Sequence, residues 1–110
     1  MEEEILHLYQ EPGIGASYTN TYGEENIRNL LKKYHSLDAM GMEKMMEMVL
    51  SFSQSTDLAT SFVSVGVLHA LGQTEGGAEA YRWAKTQEDA QRIISHFEIG
   101  KSVADYFSPG

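Results

Sequence analysis

Residues Asp57 to Leu71, "DLATSFVSVGVLHAL", carry no charged side chain after Asp57, and the next charge along the chain is Glu75. At helical spacing such a stretch is apolar or small on every side, which marks a helix surrounded by other elements rather than one lying at a surface. Asp57 suits a cap at its start and Gly72 a stop at its end. The sequence therefore predicts a central buried helix over 57–71. A strand is the competing reading, because Val63, Val65 and Val67 alternate with Ser64 and Gly66.

The segments on either side repeat apolar residues at helical spacing. Upstream, Thr21 and Glu24 have the spacing of a capping box, and Ile27, Leu30, Leu31 and Tyr34 follow on one face, predicting a helix over 24–36. Asp38 suits the cap of a second helix over 39–54, which contains "MGMEKMMEM", five of the six methionines. With Met42 at zero, Met45, Met46 and Val49 fall within roughly 60° of it on the helix. Met48 and Phe52 widen this stripe on one flank and Leu50 on the other, to an apolar arc of about 200°. Either two neighbours in the same chain cover that arc, or its Met48–Phe52 flank meets a second subunit or a target.

Downstream, Thr74 or the Gly76-Gly77 pair opens a helix over 78–85. Thr86 and Asp89 then suggest a cap for a last helix whose face holds Ala90, Ile93, Ile94, Phe97 and Ala104. Gly100 would bend or stop it, and Ser108 to Gly110 would be a frayed end. At the other terminus, Ile5 to Tyr9 alternates roughly as a short strand before the Pro12-Gly13 turn. "GASYTNTYG" (15–23) offers either a returning strand, making a hairpin, or an ordered loop. The expected architecture is mainly α: a single domain over 1–110 in which four to five helices (24–107) follow an extended or β-hairpin segment (1–23).

Composition narrows the function classes. A chain of 110 residues can bury roughly two thirds of its unfolded surface and needs no staple. The chain contains no cysteine, which removes disulfides, zinc–thiolate sites and thiol nucleophiles. Asp and Glu number 16 against 8 Lys and Arg, for a net charge of −8, which argues against direct contact with nucleic-acid phosphates. Residues 1–24 hold Glu2, Glu3, Glu4, Glu11 and Glu24 with no Lys or Arg. An acidic start and the lack of a long apolar run point to the cytoplasm and away from a membrane. The basic groups Arg28, Lys32 and Lys33, and Arg82, Lys85 and Arg92, lie beside acids and read as solvated helix faces.

No catalytic constellation stands out. His7, His35, His69 and His96 lack the spacing that would put two metal ligands on one helix face, so neither a metal nor a cofactor is expected. His69 and His96 read as core histidines satisfied by backbone carbonyls. Gly13-Ile-Gly15 reads as a turn, and the pairs Glu43/Glu47 and Glu75/Glu79 as solvated faces. Tyr18, Asn20 and Tyr22 combine flat aromatic surface with adaptable hydrogen bonding, the mixture that binding loops favour. The resulting expectation is a small, acidic, cytosolic, non-enzymatic interaction module: an adaptor, regulator or inhibitor that forms a homodimer or higher and meets a basic protein partner. Its binding residues would be Tyr18, Asn20, Tyr22, Met48 and Phe52. The alternative is a small-ligand binder or enzyme with a pocket between the tyrosine loop and the helices, lined by Tyr18, Tyr22, His69 and Arg82.

Overall fold

The computed structural model describes residues 1–107; the expected frayed end at Ser108 to Gly110 lies outside the described residues. Six α-helices run in the order α1 Glu2–Gln10, α2 Glu24–Ser36, α3 Ala39–Phe52, α4 Leu58–Ala70, α5 Thr74–Lys85 and α6 Ala90–Ala104, and a 3-10 turn at Tyr18–Asn20 precedes α2. There is no strand among the described residues. The mainly α expectation holds, with six helices in place of four or five and no N-terminal hairpin.

The hairpin gives way because Ile5 to Tyr9 is too short to separate period 2 from period 3.6. As a helix, the segment buries Ile5 and Tyr9, one turn apart, and leaves Leu6 and His7 outside. Glu2, Glu3 and Glu4 occupy its first turn, where carboxylates complement the helix dipole. The 15–23 segment does not return as a strand either. It folds back through the 3-10 turn, with Gly15 N–H donating to the Asn20 carbonyl at 2.9 Å.

Helix α4 is buried continuously from Ser61 to Leu68 and packs against α2, α3, α5 and α6. This excludes the strand alternative. Asp57 caps it as expected, accepting from Thr60 N–H at 3.3 Å. Gly72 ends it at φ 69°, with Gly72 N–H donating to His69 O and Gln73 N–H to Leu68 O. These two bonds make a Schellman stop, which needs the left-handed conformation that glycine supplies. Asp38 likewise caps α3 through Gly41 N–H at 2.8 Å. That helix stops at Phe52, two residues short of the expected end.

Two expected caps do not form. Thr21 donates its hydroxyl back to the Tyr18 carbonyl at 3.2 Å, and Glu24 accepts from Tyr22 N–H, so no capping box opens α2. The α2 N-cap is instead Gly23, at φ 76°. A β-carbon there would lie 3.0 Å from Val63 Cγ2, so the residue is also held small by the approach of α4. At α6, Thr86 bonds to Trp83 O and Asp89 makes no side-chain cap.

Helix α5 starts at Thr74, four residues before the expected 78, and α6 passes through Gly100 without stopping. Gly100 has a packing role. Helices α4 and α6 cross at Gly66 and Gly100, and a β-carbon on Gly66 would stand 2.8 Å from the Gly100 carbonyl oxygen. A β-carbon on Gly100 would collide with the Phe62 carbonyl oxygen. Backbone therefore rests on backbone at the centre of the molecule.

Tyr9 ties α1 to this centre. Ser64 donates to the Thr60 carbonyl at 2.9 Å, so the 2.6 Å contact between Tyr9 and Ser64 has the tyrosine hydroxyl as donor. Burial pushes the Tyr9 hydroxyl pKa far above its ordinary value, with the Ser64 bond acting weakly in the other direction. The folded state holds this proton more tightly than the unfolded chain does. The resulting stability is complete below about pH 10 and is lost as pH rises above it. Tyr9→Phe should cost about 1 kcal/mol at neutral pH and flatten the alkaline fall in stability. Denaturant melts at pH 8 and pH 11 measure both effects, and an alkaline limb equally steep in the variant would refute this account.

Candidate interaction surface

The acidic N-terminal segment, expected as extended chain or hairpin, places Glu2, Glu3 and Glu4 on helix α1, and the fold divides its carboxylates by use. Glu4 forms an ion pair with Lys33 at 2.8 Å, whose hydrogen bond and charge hold its carboxyl below the usual range. Glu2, Glu3 and Glu11 are exposed, with no ion pair among the described residues. Beneath the flank of α1 lies a groove of ≈ 540 Å³, whose lining includes Leu6, Tyr9, Ile14, Phe52 and Ala59, with Asp57 at its edge. No Lys, Arg or His lines it. Leu6, on its wall, is 43% exposed. Glu2 precedes Leu6 by one helical turn on the same face. The groove thus mixes apolar walls with Gln10, Ser55 and Thr60, and Asp57 is the one carboxylate in its lining.

Phe52, expected on the outer flank of α3, is half-buried and meets the Tyr9 ring edge-on at a centroid distance of 5.1 Å. Met48, one turn earlier, is half-buried and packs against the core. On the same helix Met45 and Val49 are fully buried, Met42 and Met46 are half-buried, and Met40 is exposed. The wide apolar arc is therefore covered largely from within the chain, with α1 supplying Tyr9 against Phe52. What remains open beside Phe52 is the groove, and it belongs to α1 as much as to α3.

The three residues of the tyrosine loop part company. Tyr18 is 91% exposed and Tyr22 about half exposed, whereas Asn20 is fully buried. Asn20 Oδ1 accepts from Glu25 N–H at 2.9 Å, in effect capping α2 from outside it. Its amide donates to the carbonyls of Pro12 and Gly13 and to Asn26 Oδ1. Asn26 in turn donates to the carbonyls of Leu8 and Pro12, both at 3.0 Å. This closed pair of amides fastens the N-terminal segment to α2. Asn20 serves that structural purpose, and only the two tyrosines face outward.

His69 and Arg82 lie away from the tyrosine loop. The loop abuts α4 near Val63, while His69 sits in the last turn of that helix. His69 Nε2 contacts Asp105 Oδ1 of α6's C-terminal end at 2.8 Å, with the side chains 36% and 67% exposed. So His69 is a surface residue paired with a carboxylate rather than a core histidine. His96 is half-buried and does bond a backbone carbonyl, that of Arg92, at 2.8 Å. Around His69 a cleft of ≈ 430 Å³ includes Gln73, Thr74, Gly77, Tyr81 and Lys101 in its lining.

Tyr81 donates to Glu98 through a very short hydrogen bond and lies under the Lys101 ammonium, 5.2 Å from the ring centroid. Burial, reinforced by the Glu98 bond, raises the Tyr81 hydroxyl pKa, and the Tyr81 bond lowers that of Glu98. Arg82 is exposed and lies 3.7 Å from Glu79. Among the described residues no group of three or more His, Cys, Asp or Glu side chains forms a metal cage, and no helix is long and apolar enough to cross a membrane.

Sequence reasoning missed Leu6, Asp105, Tyr81 and Lys101. Helical periodicity over 2–10 would have placed Leu6 beside Tyr9, but nothing local joins Asp105 to a histidine 36 residues earlier. Comparison with protein-family models, with curated proteins and with solved structures finds no match, so the functional reading rests on these surfaces alone.

Proposed function

We propose that this chain is a non-enzymatic, cytoplasmic protein-interaction module, an adaptor, regulator or inhibitor. It self-associates and receives a basic, amphipathic segment of a partner protein in the groove at the base of α1. The observation that carries this reading is a cleft that combines an exposed Leu6 with Phe52, Ile14 and Ala59, beside a helix whose Glu2 and Glu3 make no ion pair among the described residues. Apolar residues on the partner would fill the floor, and its lysines or arginines would meet Glu2, Asp57 and Glu11. Charge attraction of this kind acts mainly on the association rate, and falls as the Debye length drops from about 10 Å at 0.1 M salt to about 3 Å at 1 M. The same carboxylates repel nucleic-acid phosphates.

The probe for this reading is an amphipathic lysine–leucine helical peptide, compared with a scrambled peptide of the same composition. Binding should shift the amide resonances of Leu6, Ile14, Phe52 and Ala59, and Leu6→Asp should abolish it. Replacing Glu2, Glu3 and Glu11 by glutamine should slow association and flatten its salt dependence. Tyr18→Ala should leave stability within about 0.5 kcal/mol of the parent, because a side chain so exposed contributes little to folding. Equal binding of both peptides, or shifts confined to the His69 cleft, would refute the groove.

A second reading is favoured by one observation, the His69–Asp105 pair in a cleft with Tyr81 and Lys101. That cleft would suit a small polar ligand. It ranks second because His69 and Asp105 already bond each other and Lys101 already pairs with Glu98 at 3.4 Å.

A further inference from the structure

The chain is strongly acidic, yet α2 presents a basic hollow. Arg28, Lys32 and His35 stand one turn apart on its outer face, around a floor that includes Leu31, Ala70 and Phe107, enclosing ≈ 580 Å³. Compensation of Arg28 and Lys32 is slight. Arg28 lies 3.8 Å from Glu25, at the outer limit of an ion pair, and Lys32 has no ion pair among the described residues. On the opposite flank of the same helix sits α1, fixed there by the Glu4–Lys33 pair and by Asn26. Its outer ridge bears Glu2 and Glu3, with Met1 and Leu6 40% and 43% exposed. Among the described residues, then, α2 carries cations with little ion pairing, and α1 carries Glu2 and Glu3 without an ion pair beside exposed apolar side chains.

We infer that the hollow on α2 seats the acidic helix α1 of a second copy of this chain. Glu2 and Glu3 of one copy meet Lys32 and Arg28 of the other, and apolar side chains of α1 pack beside the half-buried Phe107. The two surfaces flank one helix and meet at Lys32, which lines both the hollow and the crevice beside Glu3. A two-fold axis across α2 then pairs acid with base twice, the self-complementary arrangement that a closed dimer requires. This rests on the self-association part of the proposed function and gives it a location. It also sets a limit: α1 seated in a second copy has Glu2 and Leu6 covered, so dimer formation and capture of a basic partner compete.

The test is a charge swap read by sedimentation equilibrium. The parent chain should show twice its 12.3 kDa mass at micromolar concentration and dissociate in 1 M salt. Glu3→Lys and Lys32→Glu, both at exposed positions, should each be monomeric, because each places like charges together at both contacts. An equimolar mixture of the two variants should regain the dimer mass, since each then supplies the charge that the other needs. Local damage, or a contact between Glu3 and Lys32 within one chain, would not be repaired by mixing. A monomeric parent, two variants that remain dimeric, or a mixture that stays monomeric would each overturn the inference. A monomeric parent could still bind the peptide in its groove, and a dimeric one could fail to, so the two readings fail separately.

Discussion

Gly100→Ala should destabilise the protein by about 3 kcal/mol, the upper part of the range for an overpacked core, while Gly77→Ala should stabilise it by about 0.5 to 1 kcal/mol. Both glycines lie inside helices and both lose the same backbone freedom on folding. They differ in surroundings. A β-carbon at Gly77 meets nothing within 4 Å, so alanine there gains helix propensity at no steric cost. A β-carbon at Gly100 meets the Phe62 carbonyl oxygen, a backbone atom that cannot rotate away. The α4–α6 crossing must widen, loosening contacts around Phe97, which is fully buried. At roughly 5 °C per kcal/mol for a domain of this size, the Gly100 variant should melt roughly 15 °C below the parent and the Gly77 variant slightly above it. Gly66→Ala belongs with Gly100→Ala, because its β-carbon would press on both the Gly100 carbonyl and Ile27 Cδ1. A Gly100 variant as stable as the parent would refute the backbone-to-backbone contact between α4 and α6.

Asn26→Leu is expected to cost about 3 kcal/mol and to free the N-terminal segment selectively. Leucine keeps much of the volume but offers no donor to the carbonyls of Leu8 and Pro12 and no acceptor to Asn20. Each buried polar group stranded in this way costs about 1 to 3 kcal/mol, and the added apolar area returns only part of that. Residues 2–22 should gain amide hydrogen exchange while α4 and α6 keep their protection, because the lost bonds all join α1 and its following turn to α2. Exchange that rises uniformly, or not at all, would refute the view of Asn26 as the fastener of α1. Since α1 forms one wall of the groove, the same variant should weaken peptide binding even where the core remains folded.

The helices that could be read in advance are those whose signals are local. Asp38 and Asp57 cap α3 and α4 from adjacent positions, Gly72 stops α4 through bonds within its last turn, and the lack of charge over 58–74 implies burial on every side. Ile27, Leu30 and Leu31 face the core because a period of 3.6 turns them there regardless of what they meet.

The tertiary structure decided the rest, for reasons of distance along the chain. Five residues of Ile5 to Tyr9 are consistent with a strand or a helix until Tyr9 finds Ser64, 55 positions away. Asn20 is a loop residue by type and becomes a buried cap only when Pro12, Gly13, Glu25 and Asn26 surround it. Gly100 reads as a helix breaker in isolation and is a contact point because Gly66 and Phe62 approach it. His69 acquires Asp105, and Phe52 acquires Tyr9, in the same way. Caps and periodicity act over one turn and are written in neighbouring residues. Packing, amide pairing and the opening of a groove beside Leu6 depend on which helices come together, and that is settled by the summed burial of the whole chain.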